Sequence, residues 1–428
     1  MAIQSNWCRC TSCHTGYNWK DDSFDFSSEE NIDCLVCHDT TGTYKKFPTS
    51  CGNPPYEEKK FGNKIFKPVN LKEVALHVGS SSRATCGACH FYGGGGDGVK
   101  HGDLDSSLIN PDRSLDVHMD SKGLNFSCVK CHTATEHEIE GRFYSMPATT
   151  THELAMPKDN PSRIACESCH SLRPHKTDPK LNDHTARIAC ETCHVPLFAL
   201  QKPTLVTWDW STAGNFKEDH KYIVKKDELG MVSYHTKKGD LGWAKNVTPE
   251  YEWFNGVITH VEVTDTIDDS YPVRLTVIHG DQNDPQARIT PFKILRGKQV
   301  YDAGNKTLVV PKLFGPKGSG AYWKDFDWQE SVAAGQKAIG QKFSGELGFI
   351  ETEYLRPVAH MIPPKEKSLS CESCHSRNGR LKDLNGFYMP GRDYSAILDR
   401  FGWLSCLALL VLVCLHGGLR IITSKRRS

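Results

Sequence analysis

Fourteen of the eighteen cysteines fall into one spacing, Cys-x-x-Cys-His, repeated seven times. The copies are Cys10/Cys13/His14, Cys34/Cys37/His38, Cys86/Cys89/His90, Cys128/Cys131/His132, Cys166/Cys169/His170, Cys190/Cys193/His194 and Cys371/Cys374/His375. Composition alone predicts roughly 0.04 copies. Two thiols three residues apart lie on one helical turn, where each can add across a vinyl group of the same porphyrin. The histidine that follows shares that face and reaches the iron. Thioethers leave no free thiol, so these cysteines are neither disulfide partners nor zinc ligands. A zinc site or a redox dithiol would account for one copy, not for seven that all end in histidine. The pattern predicts haem c at seven covalent sites.

Thirteen histidines lie outside the motifs. An electron-transfer haem takes a second strong axial ligand, normally histidine. His101, His118, His137, His175, His184 and His360 sit in haem-dense segments and are the candidate distal ligands. His137 and His175 each follow a motif histidine by five residues, too close to wrap the same porphyrin, so they are expected to serve neighbouring haems. Their alternative role is hydrogen bonding to propionates. His152, His220, His235, His260 and His279 rank lower, as surface, structural or pocket residues.

An enzyme, unlike a wire, needs one iron with a weak or open sixth position. The segment His90-Phe-Tyr-Gly-Gly-Gly-Gly-Asp-Gly-Val-Lys-His-Gly-Asp is where such a site is expected. Its glycines allow positive φ and close approach to a flat ring, and Asp97, Lys100 and His101 lie on the same loop. A flexible linker is the plainer reading, but the flanking aromatics and charges argue against it. Lysine is a poor ligand at neutral pH, because removing its proton costs about 4.6 kcal/mol. A lysine-capped iron would exchange its sixth ligand readily, and the displaced ammonium would favour an anion.

The elements that must position these groups follow from composition. The chain has 428 residues, 38% hydrophobic and 24% charged. That excludes collagen, a disordered tail, a polytopic membrane protein and a small disulfide scaffold. Lys plus Arg (52) barely exceeds Asp plus Glu (51), which argues against a nucleic-acid binder. Two propionates per haem make the loaded protein acidic. The expected fold is a multihaem cytochrome c: mostly short α-helices and coil wrapped around covalently bound haems, with a small β-containing haem-free region and a C-terminal transmembrane helix. Residues 1–200 form a six-haem region, with a short repeat at Arg163-Ile-Ala-Cys-Glu-Ser-Cys-His and Arg187-Ile-Ala-Cys-Glu-Thr-Cys-His. Residues 201–350 carry no motif, are rich in Trp, and hold β-branched runs from Val257 and Val273 that read as strands and hairpins. They either cover haem faces or close a substrate channel. Residues 351–395 bring the seventh motif.

Residues 396–428 form the expected anchor. Phe401 to Leu419 carries no formal charge and is long enough to span a bilayer. Arg420, Lys425, Arg426 and Arg427 follow, which places the tail in the cytoplasm and the rest outside. His416 lies within the span. Haem attachment requires export, yet Met1 to Cys10 has no charged or apolar leader, so a shortened N-terminus is expected.

Three stretches resemble the octahaem tetrathionate reductase family. They are Arg9-Cys-Thr-Ser-Cys-His-Thr-Gly-Tyr-Asn-Trp-Lys, Asn31-Ile-Asp-Cys-Leu-Val-Cys-His-Asp-Thr-Thr-Gly-Thr-Tyr-Lys-Lys, and Cys86-Gly-Ala-Cys-His through Gly-Gly-Gly-Gly-Asp-Gly-Val-Lys-His-Gly-Asp to Leu108. The likeness extends through Asp116-Val-His-Met and the seventh motif, covering most of residues 5–390. It implies a periplasmic enzyme reducing tetrathionate and, in family members, nitrite or hydroxylamine. Carried over by motif, the catalytic haem is that of Cys10, Cys13 and His14, with Lys100 as distal ligand and Asp97 beside the pocket as the nearest proton donor. The family has eight haems, so an eighth site is expected upstream of the present start. Of the four cysteines outside the motifs, Cys8 and Cys51 are open to a disulfide or to free thiols.

The expected activity is therefore electron transfer through bis-His haems to a Lys-ligated haem that reduces tetrathionate, nitrite or hydroxylamine. The electron donor would be a quinol-linked membrane cytochrome or a soluble cytochrome. A conduit without catalysis and a hydroxylamine oxidase are the alternatives.

Overall fold

A computed structural model of the chain describes residues 4–62, 64–135, 137–139, 165–395 and 397–425. His152, Met1, the Arg163-Ile start of the repeat, and Arg426 and Arg427 lie outside them. The chain divides into two compact units, Met1–Ser368 and Leu369–Ser428.

The described part of residues 1–200 is short helices, single turns and coil. Its only strands among the described residues are two pairs, Lys59–Phe61 with Lys64–Phe66 and Ala134–Thr135 with Glu138–Ile139. Many apolar side chains here face outward, including Phe26, Ile32, Leu76, Val78, Leu124 and Val129. A globular chain covers such side chains, and flat porphyrins attached among them would do so.

The sheet begins at residue 204. Its strands are β1 (Thr204–Asp209), β2 (Val224–Lys226), β3 (Val232–His235), β4 (Gly239–Ala244), β5 (Glu250–Phe254), β6 (Val273–Arg274), β7 (Arg288–Asp302), β8 (Thr307–Leu308) and β9 (Leu347–Pro357). The order is β6-β9-β7-β1-β4-β3-β2, with β5 and β8 also pairing β7. β7 is the spine: it runs antiparallel to β9 from Phe292 opposite Pro357 to Asp302 opposite Leu347, and parallel to β1 at Arg296–Lys298. The sheet thus continues past residue 350. Of the two β-branched runs, the first contributes only Ile258–His260, which pairs with Thr276–Ile278 apart from the large sheet.

Phe254, Ile258, Phe292, Ile294 and Leu355 close one core, and the helix Trp328–Ala338 packs Val332 against Val300 and Val309 in another. That helix starts where the Asp327 side chain accepts the Glu330 N–H at 3.0 Å. A third core joins the sheet to the haem-motif region: Val99, from the glycine-rich loop, is buried with Leu205 of β1 and Leu241 of β4.

In the second unit the turn Cys371–Cys374 leads into coil tied together by Arg392. Its guanidinium donates to the carbonyls of Leu381, Leu384 and Phe387 and to the Asp393 carboxylate. The span Leu398–Thr423 reaches a mean hydropathy of 2.1 in its 18-residue core and is long and apolar enough to cross a membrane.

Candidate active site

Each attachment motif folds as one turn. The motif histidine donates its backbone N–H to the first cysteine's carbonyl: His38 to Cys34 at 3.0 Å, His132 to Cys128 at 2.9 Å, His170 to Cys166 at 2.9 Å and His375 to Cys371 at 2.8 Å. This i to i+4 closure puts both thiols and the imidazole on one face. The first motif is tighter. Thr11–Cys13 is a 3-10 turn and His14 N–H bonds Thr11 O at 3.1 Å. None of the fourteen motif cysteines is in a disulfide, as thioether formation requires. Cys8 and Cys51 form a disulfide, so of the two alternatives for them it is the disulfide that the structure contains.

The motif cysteines differ in their protein surroundings. Cys13, Cys34, Cys131, Cys169 and Cys371 are exposed, whereas Cys10, Cys37 and Cys193 are half-buried. The fifth and sixth motifs, almost identical in sequence, show why. Cys169 stands near the end of the one-turn helix Glu167–His170, after which Ser171 turns away with φ +62°. Cys193 lies on the helix Cys190–His194, whose Thr192 is buried and donates its hydroxyl to Ile289 O of β7 at 2.7 Å. The sheet thus meets the sixth motif through the Thr192 hydroxyl and the fifth through the Arg288–Glu167 ion pair at 2.9 Å. The repeat carries no trace of that difference, because the sheet strand comes from a distant part of the chain.

Among the described residues, four motif histidines face a second imidazole. The ring centroids of His38 and His137 lie 6.1 Å apart, His170 and His118 5.9 Å, His132 and His360 6.3 Å, and His194 and His175 6.5 Å. An iron between two ring nitrogens, each about 2 Å away, sets the centroids roughly 6 Å apart. The chain thus spaces these pairs for an axially ligated iron. Nδ1 is fixed by a carbonyl where such a ligand needs it: His38 Nδ1–H faces Gly79 O at 2.8 Å. His184 Nδ1 meets Lys180 O at 2.8 Å in the same manner.

His14 differs. Its ring sits among Trp19 (4.5 Å), Phe24 (6.1 Å) and Phe26 (6.0 Å), with no imidazole opposite among the described residues. Its Nδ1 accepts the Gly16 N–H at 3.1 Å, the reverse of the His38 arrangement. Lys46 holds the backbone behind it, donating to His14 O while pairing with buried Asp33 at 3.1 Å. Tyr17 and Tyr44 donate to the same carboxylate at 2.7 and 2.6 Å.

The glycine-rich loop is shaped around Lys100. A Cβ on Gly93 would stand 3.2 Å from Lys100 Cδ, and Gly94, at φ +77°, would meet Val99 Cγ1 at 2.8 Å. Thr204 of β1 donates to Gly98 O at 2.6 Å. From β7, fully buried Lys293 donates to Val99 O at 2.7 Å and to Thr204 Oγ1. Burial pushes Lys293 down to about 7. Burial, and then the Arg356 guanidinium, also lower the Lys100 ammonium from its ordinary value, which eases the deprotonation that ligation requires. Lys100 in turn acts electrostatically on His90 and His101. No contact between Lys100 and His14 occurs among the described residues. The two motifs do meet, because the side chains of Cys13 and Cys89 adjoin. Lys100 therefore stands where the first and third motifs adjoin. His101 is held neutral, chiefly by burial, at about 4, as an imidazole ligand must be.

Asp97 departs from the expected role of proton donor. Its carboxylate accepts Lys202 Nζ at 2.6 Å and Ser106 N and Oγ at 2.9 and 2.6 Å. Burial alone would raise it, but these donors hold it below the usual carboxylate range. Asp97 pins the loop as an anion.

Sequence reasoning missed Arg356, Lys293 and Asp103. Lys293 lies in a stretch buried on both faces from Arg288 to Ile294, so no alternation marks it. Asp103 stands three residues beyond Lys100, but its partners come from residues 359 and 360.

A bacterial cytochrome c family model matches residues 205–378. The chain is 42% identical to the crystal structure of an octahaem cytochrome c from Shewanella oneidensis, covering 90% of this chain and 82% of that chain, with a TM-score of 0.77. The chain belongs to the octahaem tetrathionate reductase family. It is a multihaem c-type cytochrome that binds haem c covalently. The family relationship makes it an oxidoreductase of the electron-transfer kind. An uncharacterised protein of Archaeoglobus fulgidus is 27% identical over 139 residues, and the chain spans 46% of that relative's length.

Proposed function

We propose that this family member is a membrane-tethered reductase on the periplasmic side of the bacterial inner membrane, acting on tetrathionate, nitrite or hydroxylamine. When bound, haem c supplies one-electron transfer and, where its sixth position opens, a site for the oxidant. His38/His137, His132/His360, His170/His118 and His194/His175 would hold haem irons between paired imidazoles, which would keep reorganisation small. Attachment cysteines of neighbouring motifs adjoin at Cys13 and Cys89, Cys86 and Cys128, and Cys166 and Cys190, which supports closely spaced haems. Electrons would come from a quinol-linked or soluble cytochrome. The chain supplies seven attachment sites, and an eighth is expected of the intact family pattern.

One observation carries the enzymatic reading. Among the described residues neither His14 nor His90 has a facing imidazole, and the partly desolvated amine of Lys100 lies where their two motifs adjoin. We keep the assignment of Lys100 as the exchangeable cap over His14, as the family resemblance implies. Released, its ammonium and the Arg356 guanidinium offer positive charge to an oxyanion. For tetrathionate, two electrons cleave the central S–S bond and leave two thiosulfates, with no proton consumed.

The test is steady-state turnover of full-length holoprotein with each oxidant in turn. Lys100→Ala should lower turnover roughly 100-fold, the scale of removing one charge-stabilising group, while reduction of the remaining haems by a dye stays fast. Unchanged turnover would refute the assignment.

A further inference from the structure

Three residues beyond Lys100, Asp103 is 2% exposed and its carboxylate is aimed at His360. One oxygen, Oδ2, accepts Ala359 N–H at 2.8 Å, His360 N–H at 3.0 Å and the His360 ring Nδ1–H at 3.0 Å. The other ring nitrogen of His360 is left for the position facing His132, 6.3 Å away between centroids, with the rings 23° from parallel. The arrangement differs from that of His38, whose Nδ1 meets a neutral backbone carbonyl.

We propose that Asp103 sets the reduction potential of the haem held between His132 and His360, making it a low-potential member of the relay. A carboxylate on the far nitrogen of a ligating imidazole raises that ligand's basicity and electron donation. Greater donation and a fixed buried anion both favour the more positive ferric centre over the ferrous one. One electron enters or leaves the iron, and no bond is made or broken. The placement suits a relay that ends near Lys100. Cys128 of this motif adjoins Cys86 of the third motif, whose Cys89 adjoins Cys13 of the first. An electron on the fourth motif is thereby driven toward the third and on to the first. Asp103 acts through His360, so it is a positioning residue. The proposal rests on the His132/His360 axial pair and not on the identity of the oxidant.

The experiment is spectropotentiometry of the full holoprotein with Asp103→Asn. Asparagine keeps an oxygen that can accept the Nδ1–H and removes the charge. The expected result is one haem whose midpoint moves positive by more than any other while it remains low-spin with two imidazoles, any smaller shift being confined to the haem nearest His101. Unchanged midpoints in a folded variant, or loss of imidazole ligation at that haem, would overturn the proposal; the latter is what a merely structural role gives. Should the variant not accumulate, near-infrared magnetic circular dichroism of the unaltered ferric protein decides. One haem with imidazolate character supports the proposal, and neutral-imidazole bands at every bis-His haem contradict it.

Discussion

The chemistry of single residues is set here by what surrounds them rather than by their type. Lys100 would be a poor ligand in water, but its burial beside Arg356 lowers the cost of losing its proton. Asp97, three residues earlier, is driven the opposite way by Lys202 and becomes a fixed anion. Both depend on a glycine run that works by backbone freedom. Gly94 and Gly95 both have positive φ, at +77° and +95°, but only Gly94 has Val99 within 3 Å of its missing Cβ. Each alanine substitution should cost about 1–3 kcal/mol from left-handed backbone alone. Gly94→Ala should cost more than Gly95→Ala and should also alter the spectrum of the Lys100 haem. Thermal unfolding of the two holoproteins checks this, and equal losses of Tm would count against the Val99 contact. The Cys-x-x-Cys-His motifs and the loop were legible as residues. The partner of Asp97 was not, because Lys202 lies 105 residues away.

At the scale of elements, β7 explains why a sheet is built into a haem protein. It carries Lys293 into the carbonyls of the Lys100 loop, while β1 supplies Thr204 to the same loop. The haem-free region thus acts as a rigid wall for the site. Its far end is held by Asp302, fully buried, which accepts Ser344 N at 2.8 Å and Asn305 N and Nδ2 at 3.0 and 2.9 Å. Burial would raise this carboxyl, but the donors hold it below its ordinary value. The folded state therefore binds fewer protons here than the unfolded chain. The stabilisation is complete above the unfolded pKa near 4 and is lost as pH falls through the lower folded value. Asp302→Asn should flatten the acid limb of the stability profile, read by denaturant unfolding between about pH 2 and 5. An unchanged acid limb would remove Asp302 from the account. Strand character was readable from β-branched runs. The extent of β7 was not, since a strand buried on both faces leaves no period.

The whole molecule joins distant parts of the chain around its cofactors. His360 faces His132, and His118 faces His170, across long sequence separations. Such pairings follow from the fold and leave no local signal, which is why the sequence yields a list of distal candidates without their partners. At the C-terminal end, the span Leu398–Thr423 carries its apolar side chains outward along its length. Ending the chain at Ile397 should move the protein from the membrane to the soluble fraction with its haems intact. Retention in washed membranes would contradict the anchor.

The central claim is that one iron is capped differently from its siblings. The most direct measurement is low-temperature electron paramagnetic resonance and magnetic circular dichroism of the full holoprotein, with and without nitrite or cyanide, beside Lys100→Ala. The account predicts one ferric centre with an amine and an imidazole that responds to the added anion and changes in the variant, while the bis-imidazole centres stay as they are. A spectrum in which every iron carries two imidazoles and none responds would contradict it.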